Sequence, residues 1–351
     1  MPDHPSNPQE LDIERPEALL AYLRAAGHVA PDETPVLRRL DGGVSNRTMW
    51  IARPNGETWV VKQALAKLRV QVDWFSSPER IHREADGLRW LQELAPPGTV
   101  PRLVFEDHAA HLIAMEAVPE PHSNWKSLLL DGELERDHVT QFAVLLAMIH
   151  ANSFHRRDAV RPVFVDRGFF ESLRLEPYYG YTAEQVPAAR AFLSELIAAT
   201  RQRACTLVHG DYSPKNVLVH AGRLTLLDHE VIHWGDPAFD LGFSITHFLS
   251  KANHLPHRRA DFANAARHHW ATYFDRVAAE PWADELETLA ARHTLACLLA
   301  RVRGRSPLEY LSESSRRRQE AVVVALLDDP PPTIDRLISR FVQDIEVSRT
   351  D

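Results

Sequence analysis

The segment Leu207-Val-His-Gly-Asp-Tyr-Ser-Pro-Lys-Asn-Val-Leu-Val219 constrains the fold more than any other part of the chain. Two apolar runs, Thr206 to Val208 and Val217 to Val219, bracket a polar loop broken by Pro214; a third, Leu224 to Leu227, runs into Asp228-His-Glu230. Runs this short, bounded by turn formers, read as strands. The loop therefore carries His209, Asp211 and Asn216 in an H-x-D-x-x-x-x-N pattern, and Asp228 emerges at a strand end. Taken singly, these residues read as turn caps. Together they form the set that phosphoryl transfer from ATP requires: a carboxylate to orient and deprotonate a hydroxyl, and oxygen ligands for magnesium. In that reading Asp211 is the base, and Asn216 and Asp228 hold the metal. If the strand continues past Asp228, Glu230 has the same side-chain parity and is either a second magnesium ligand or a group for a substrate hydroxyl.

A chain of 351 residues has room for two domains or one two-lobed unit. Its net charge of −8 excludes the basic stripe of a nucleic-acid binder. Two cysteines, Cys205 and Cys297, are too few for a disulfide framework and fit a reducing interior. The polar, proline-rich start lacks the basic and apolar regions of a signal peptide, and no run approaches the ~20 apolar residues of a membrane span. These features predict a cytoplasmic protein without membrane or nucleic-acid partners; they say nothing of its oligomeric state.

The pattern predicts a leading helix over 15–27, strands at 36–40, 47–52 and 58–61, a helix over 78–94, and strands at 102–106 and 111–116. Asp41-Gly-Gly43 and Pro54-Asn-Gly56 supply turns. Beyond Val118 the periodicity is largely helical, with helices over 183–200, 238–250, 258–278, 281–302, 313–327 and 332–347. The fold class is α+β: a small antiparallel-sheet lobe over 1–116, leading helix included, and a larger, mainly helical lobe over 117–351.

Val60-Val-Lys62 ends a strand with a lysine among apolar residues, and a charge placed there needs an anionic partner. ATP phosphates and Glu84 on the following helix supply one, with Glu79 and Asp86 as substitutes. Gly42 and Gly43 let backbone amides approach phosphate, and Ser45 adds a hydroxyl. The backbone of Met115-Glu116-Ala-Val118 is placed to pair with adenine. Asp236 before Pro237 is an N-cap, and Asp240 braces the loop of Asp211 by accepting backbone hydrogen bonds.

Together these residues resemble the aminoglycoside phosphotransferase and choline kinase superfamily, which has a protein-kinase-like fold. The match runs from about Leu40 to Leu249 and is strongest at His209-Gly-Asp-Tyr-Ser-Pro-Lys-Asn216 and Leu227-Asp-His-Glu-Val-Ile-His-Trp-Gly-Asp-Pro-Ala-Phe-Asp-Leu-Gly242. The resemblance implies a kinase of small molecules that uses ATP and Mg2+, with Asp211 as base, Asn216 and Asp228 on magnesium, Lys62 on the α/β-phosphates, and His150 as a structural histidine. Two departures stand out: Lys215 occupies a position small in many members, so a cation faces phosphate or substrate, and the Gly42-Gly43 loop matches only loosely.

Choline and aminoglycosides are cations and need clustered carboxylates or aromatic cages. The last third of this chain instead carries Arg301-Val-Arg303 and Arg316 to Arg318. Arg301 and Arg303 either line a pocket suited to a carboxylate, phosphate or sugar hydroxyls or lie on a solvated helix face. The expected acceptor is a hydroxyl on a small metabolite, neutral or anionic and sugar-like. The alternatives are an aminoglycoside or macrolide antibiotic kinase and a nucleotide-binding regulator without catalysis.

Overall fold

Alternating apolar positions between residues 36 and 116 become β1 (Val36–Arg39), β2 (Asn46–Ala52), β3 (Thr58–Ala64), β4 (Leu103–Asp107) and β5 (Leu112–Glu116). The five strands form one antiparallel sheet in the order β1-β2-β3-β5-β4. The computed structural model describes residues 11–40, 43–69 and 74–348. Contacts group the chain into two compact units, residues 1–85 with 102–119, and residues 86–101 with 120–351.

In the first unit, Pro54-Asn-Gly56 turns β2 into β3. Gly56 sits at φ 91°, where a side chain is strained, and its N–H donates to the Arg53 carbonyl at 3.0 Å. Helix α1 (Pro16–Ala25) lays Leu19 and Leu23 on the sheet residues Met49, Ile51, Val61 and Ala114. In α2 (Arg80–Leu94) the residues at helical spacing, Ile81, Ala85, Leu88, Leu91 and Leu94, are all fully buried. Residues of α2 up to Ala85 belong to the first unit and the rest to the second.

In the second unit, β6 (Ser123–Asn124), β8 (Val217–His220) and β9 (Arg223–Leu226) form a three-stranded sheet, and β7 (Thr206–Val208) pairs with β10 (His233–Gly235). The remainder is helical: α3 (Trp125–Leu130), α4 (Arg136–His155), α5 (Arg157–Phe164), α6 (Gly168–Phe170), a π-helical segment (Glu171–Gly180), α7 (Tyr181–Gln185), α8 (Arg190–Gln202), α9 (Pro237–His254), α10 (Arg259–Val277), α11 (Leu286–Arg303), α12 (Glu313–Leu327) and α13 (Ile334–Val347). The single helix expected over 183–200 is divided between α7 and α8, because Pro187 lacks the donor that would continue α7. Pro162 within α5 and Pro177 within the π-helix likewise mask two helical stretches that periodicity does not reveal. Among the described residues, no helix is long and apolar enough to cross a membrane.

Helix α9 is the axis of this unit, buried from Pro237 to Asn253. Asp236 caps it as expected, accepting from the Ala238 N–H at 3.0 Å. Gly242 lets α11 approach closely: a Cβ there would lie 2.6 Å from the His293 carbonyl carbon and 2.7 Å from the Thr294 nitrogen. Alanine normally favours a helix over glycine by ~1 kcal/mol. Gly242→Ala should instead destabilise by about 1–3 kcal/mol in urea unfolding, since backbone must shift to admit the methyl group.

Candidate active site

The loop after β7 is held from below by α9. Asp240 accepts from the His209 N–H at 2.7 Å and the Gly210 N–H at 2.8 Å, one bond to each carboxylate oxygen. Asp240 and His150 are both fully buried, with His150 Nε2 at 3.3 Å from Asp240 Oδ2 and His150 Nδ1 at 2.7 Å from the Tyr273 hydroxyl. The bracing expected of Asp240 and the structural place of His150 are thus present. Gly210 adopts φ 78° with Val231 packed against it, so the chain turns sharply here and presents Asp211. His209 Nδ1 accepts from the Asp211 N–H at 3.2 Å. Burial lowers the His209 pKa, against the pull of the Asp240, Asp211 and Asp228 carboxylates, so the ring stays neutral.

Asp211 is buried and anchored on one oxygen. Asn216 Nδ2 donates to Oδ2 at 2.8 Å, and Arg174 Nη2 lies 2.7 Å from the same atom. Oδ1 carries no hydrogen bond among the described residues. Burial pushes the Asp211 pKa up, but Arg174, Lys215 and the Asn216 bond outweigh it and hold the carboxyl below its usual value. Because the Asn216 amide nitrogen is committed to Asp211, its amide oxygen is the end available to a cation.

Pairing of Val217 with Leu226 sets Asn216 beside Leu227, whose N–H donates to the Asn216 carbonyl at 2.8 Å. Asp228 follows at once. Its φ is 67°, a left-handed conformation rare for an aspartate, and its Oδ1 is buried with no hydrogen-bond partner among the described residues. A buried carboxylate oxygen without a donor suits a hard divalent cation. The left-handed turn also corrects one expectation: β9 ends at Leu226, so the strand-parity argument for Glu230 does not hold. Glu230 reaches the same neighbourhood by another route. Burial pulls the Arg174 pKa down, yet Asp211, Tyr178, Glu230 and Asp228 raise it above the usual value, so all three carboxylates act on one guanidinium. Gly87 of α2 makes room for the segment, since a Cβ there would lie 2.8 Å from the His229 Cβ.

Arg174 escaped the sequence reading. It comes from the π-helix, a form frequent at functional sites. The signal was present in Leu173-Arg-Leu175, a charge between apolar neighbours, the same signal that singled out Lys62. Of the cations expected near substrate, Lys215 is exposed but acts electrostatically on Asp211. Arg301 is buried and donates to the Tyr178 hydroxyl at 3.1 Å, whereas Arg303 is exposed and lies 3.3 Å from Glu320, on an outer helix face.

In the first unit, β3 places Lys62 between Thr48 and Ile113, and its Nζ donates to Glu84 Oε1 at 2.6 Å. Glu84 is fully buried; of the substitutes, Glu79 faces His111 at 3.6 Å and Asp86 faces Arg89 at 3.2 Å. Gly43 is exposed, Ser45 is buried with its carbonyl held by Arg80, and Gly42 lies outside the described residues. At the end of β5, Met115 is opposite Val60, and the Glu116 and Ala117 amides donate to Arg102 and Thr58 carbonyls at 2.9 Å each. Past these bonds, the Glu116 carbonyl and the Val118 amide lie two residues apart at the end of β5. An acceptor and a donor two residues apart match the amino and ring-nitrogen edge of adenine.

A family profile described as the phosphotransferase enzyme family matches residues 36–286. The chain belongs to this family. Over 251 residues it is 29% identical to a methylthioribose kinase of Citrobacter koseri, covering 62% of each chain. It is 27% identical over 263 residues to one from Pectobacterium atrosepticum, covering 67% of this chain and 65% of that one. The chain thus matches less than two thirds of these curated relatives' length. Its fold is that of a macrolide 2'-phosphotransferase from Brachybacterium faecium (TM-score 0.52, 19% identity, 89% and 98% covered) and a choline/ethanolamine kinase family protein from Mesorhizobium loti (TM-score 0.52, 14% identity, 95% and 99% covered).

The double bond from Asp240 predicts its own test. In Asp240→Asn one acceptor becomes an NH2 group facing an N–H donor. Unfolding stability should fall by about 1–3 kcal/mol, the range for a buried group left unsatisfied.

Proposed function

We propose that this phosphotransferase-family member moves the γ-phosphate of ATP, with Mg2+, to a hydroxyl of a small metabolite, neutral or anionic and sugar-like. The observation that carries the reading is Asp211: a buried carboxylate fixed through Oδ2 by Arg174 and Asn216, with no hydrogen bond to Oδ1 among the described residues. In the transfer, the acceptor oxygen forms a bond to the γ-phosphorus and the bond from that phosphorus to the bridging oxygen breaks. The hydroxyl proton passes to Asp211 Oδ1, and ADP leaves. Because Arg174 keeps Asp211 ionised, the base is ready before the acceptor arrives.

Magnesium held by Asn216 and Asp228, with Glu230 as a further ligand, would neutralise charge on the phosphates. Lys62, positioned by Glu84, serves the α/β-phosphates; the Gly43 and Ser45 segment, with Gly42, serves the phosphate chain through its amides. The Glu116 carbonyl and Val118 amide, at the end of the strand that holds Met115, receive adenine. The first unit is then the nucleotide-binding part and the second the catalytic and substrate part. Similarity to methylthioribose kinases supports a sugar-like acceptor. The buried, ionised Asp211 and the buried Asp228 Oδ1, which has no hydrogen-bond partner among the described residues, support catalysis over a non-catalytic regulator.

Asp211→Asn should lower kcat by ~10²-fold or more, the lower end for loss of a general base, with Mg-ATP binding retained. Turnover equal to wild type would refute the role. The lowered Asp211 pKa also fixes a sign: the base is active above its pKa and is lost only as pH falls through it. The pH profile of kcat/KM should show no acid limb from this group above about pH 4, the ordinary aspartate value.

A further inference from the structure

The buried polar side chains of α9 have partners, with one local exception. Asp240 holds the catalytic loop, Ser244 meets His269 Nε2 at 2.9 Å, Thr246 donates to the Thr294 carbonyl at 3.2 Å, and Asn253 donates to the Ser315 carbonyl at 3.0 Å. His247 and Lys251, one turn apart on one face, do not follow this pattern. Lys251 is fully buried, and among the described residues its ammonium has a single hydrogen bond, 3.3 Å to the carbonyl of His247 in its own helix. His247 Nε2 is buried with no hydrogen-bond partner among the described residues, and the same holds for Arg301 Nε and the Tyr310 hydroxyl.

These groups form one cluster. Lys251 lies 5.5 Å and Lys126 5.9 Å from the centre of the Tyr310 ring. Lys126 is paired with Glu309, which is largely exposed. Neither Lys251 nor Arg301 has a carboxylate within ion-pair distance among the described residues. A buried cation without an anion is costly, and here two share one neighbourhood. Burial, then Lys126 and Arg301, lower the Lys251 pKa to about 7 against the opposing pull of Glu309. An incoming anion would restore its charge.

The cluster is also connected to the chemistry. Arg301 donates to the Tyr178 hydroxyl at 3.1 Å and lies 5.6 Å from that ring, and Arg174, the partner of Asp211, lies 6.0 Å from the same ring. One tyrosine ring therefore separates the two arginines, one on the catalytic carboxylate and one in the donor cluster.

We propose that Lys251 and Arg301, with His247, Tyr310 and Lys126 around them, bind an oxyanion of the acceptor, so that the substrate is an anionic hydroxylated metabolite, a sugar acid or a sugar phosphate. This inference rests on the phosphotransferase reading and adds the charge of the acceptor to it. It also reverses the electrostatics that a cationic acceptor would need.

The test incubates the wild-type protein with Mg2+ and γ-labelled ATP. The acceptors are sugar acids, sugar phosphates, their matching neutral sugars and alditols, and a fractionated metabolite extract. The compound that acquires label should carry a negative charge before reaction, and the sugar-acid and sugar-phosphate arms separate carboxylate from phosphate recognition. Lys251→Met should raise KM for that compound about 10- to 100-fold, the range for losing a charge-assisted hydrogen bond, with KM for ATP unchanged. Arg301→Gln carries the same expectation if Lys251→Met does not fold. A neutral or cationic acceptor, or variants with unaltered KM, would overturn the anionic site and leave phosphoryl transfer standing. Label acquired by no compound would overturn the phosphotransferase reading itself.

Discussion

Asp240 is the interaction on which the second unit's chemistry depends. One carboxylate, fixed in the most buried helix of the unit, accepts two consecutive backbone amides, and those amides begin the loop that carries Asp211 and Asn216. A loop has few hydrogen bonds of its own and would otherwise be mobile. Its start is bonded to α9 and its end enters β8, so the loop is fixed at both ends. Asp228 is then located by the β8–β9 pairing rather than by its own contacts.

Charge and burial around the loop set the ionisation of its groups. Arg174 keeps Asp211 ionised despite burial, and burial keeps His209 neutral. Since both anchors of Asp211 fall on one oxygen, the other remains available. In a poorly solvated setting these pairings are stronger than they would be in water, which is how a buried aspartate can stay ionised at neutral pH. Farther along the same face of α9 the balance changes sign at Lys251, which with Arg301 has no carboxylate within ion-pair distance among the described residues.

Much of this was legible in the residues, for identifiable reasons. The strands around the loop announced themselves because apolar runs of three or four residues between turn formers have few alternatives. Lys62 and Glu84 could be paired because a lysine among valines must find an anion, and they meet at 2.6 Å. Arg174 was hidden in a π-helix interrupted by Pro177, whose period matches neither helix nor strand templates. The reason given for Glu230 failed at Asp228, whose left-handed φ breaks a strand that sequence pattern would continue. The donor cluster was only half visible: Arg301 stood out, but Lys251 reads as an ordinary helix lysine until the fold shows it fully buried with no carboxylate within ion-pair distance among the described residues.

The central claim is that Asp228 and Asn216 supply oxygen ligands for a divalent cation beside Asp211. Electron paramagnetic resonance of Mn2+ with ATP, comparing wild type and Asp228→Asn, tests this most directly. The account predicts a bound Mn2+–nucleotide signal in the wild-type protein that the variant loses while remaining folded. An undiminished signal in Asp228→Asn would contradict it.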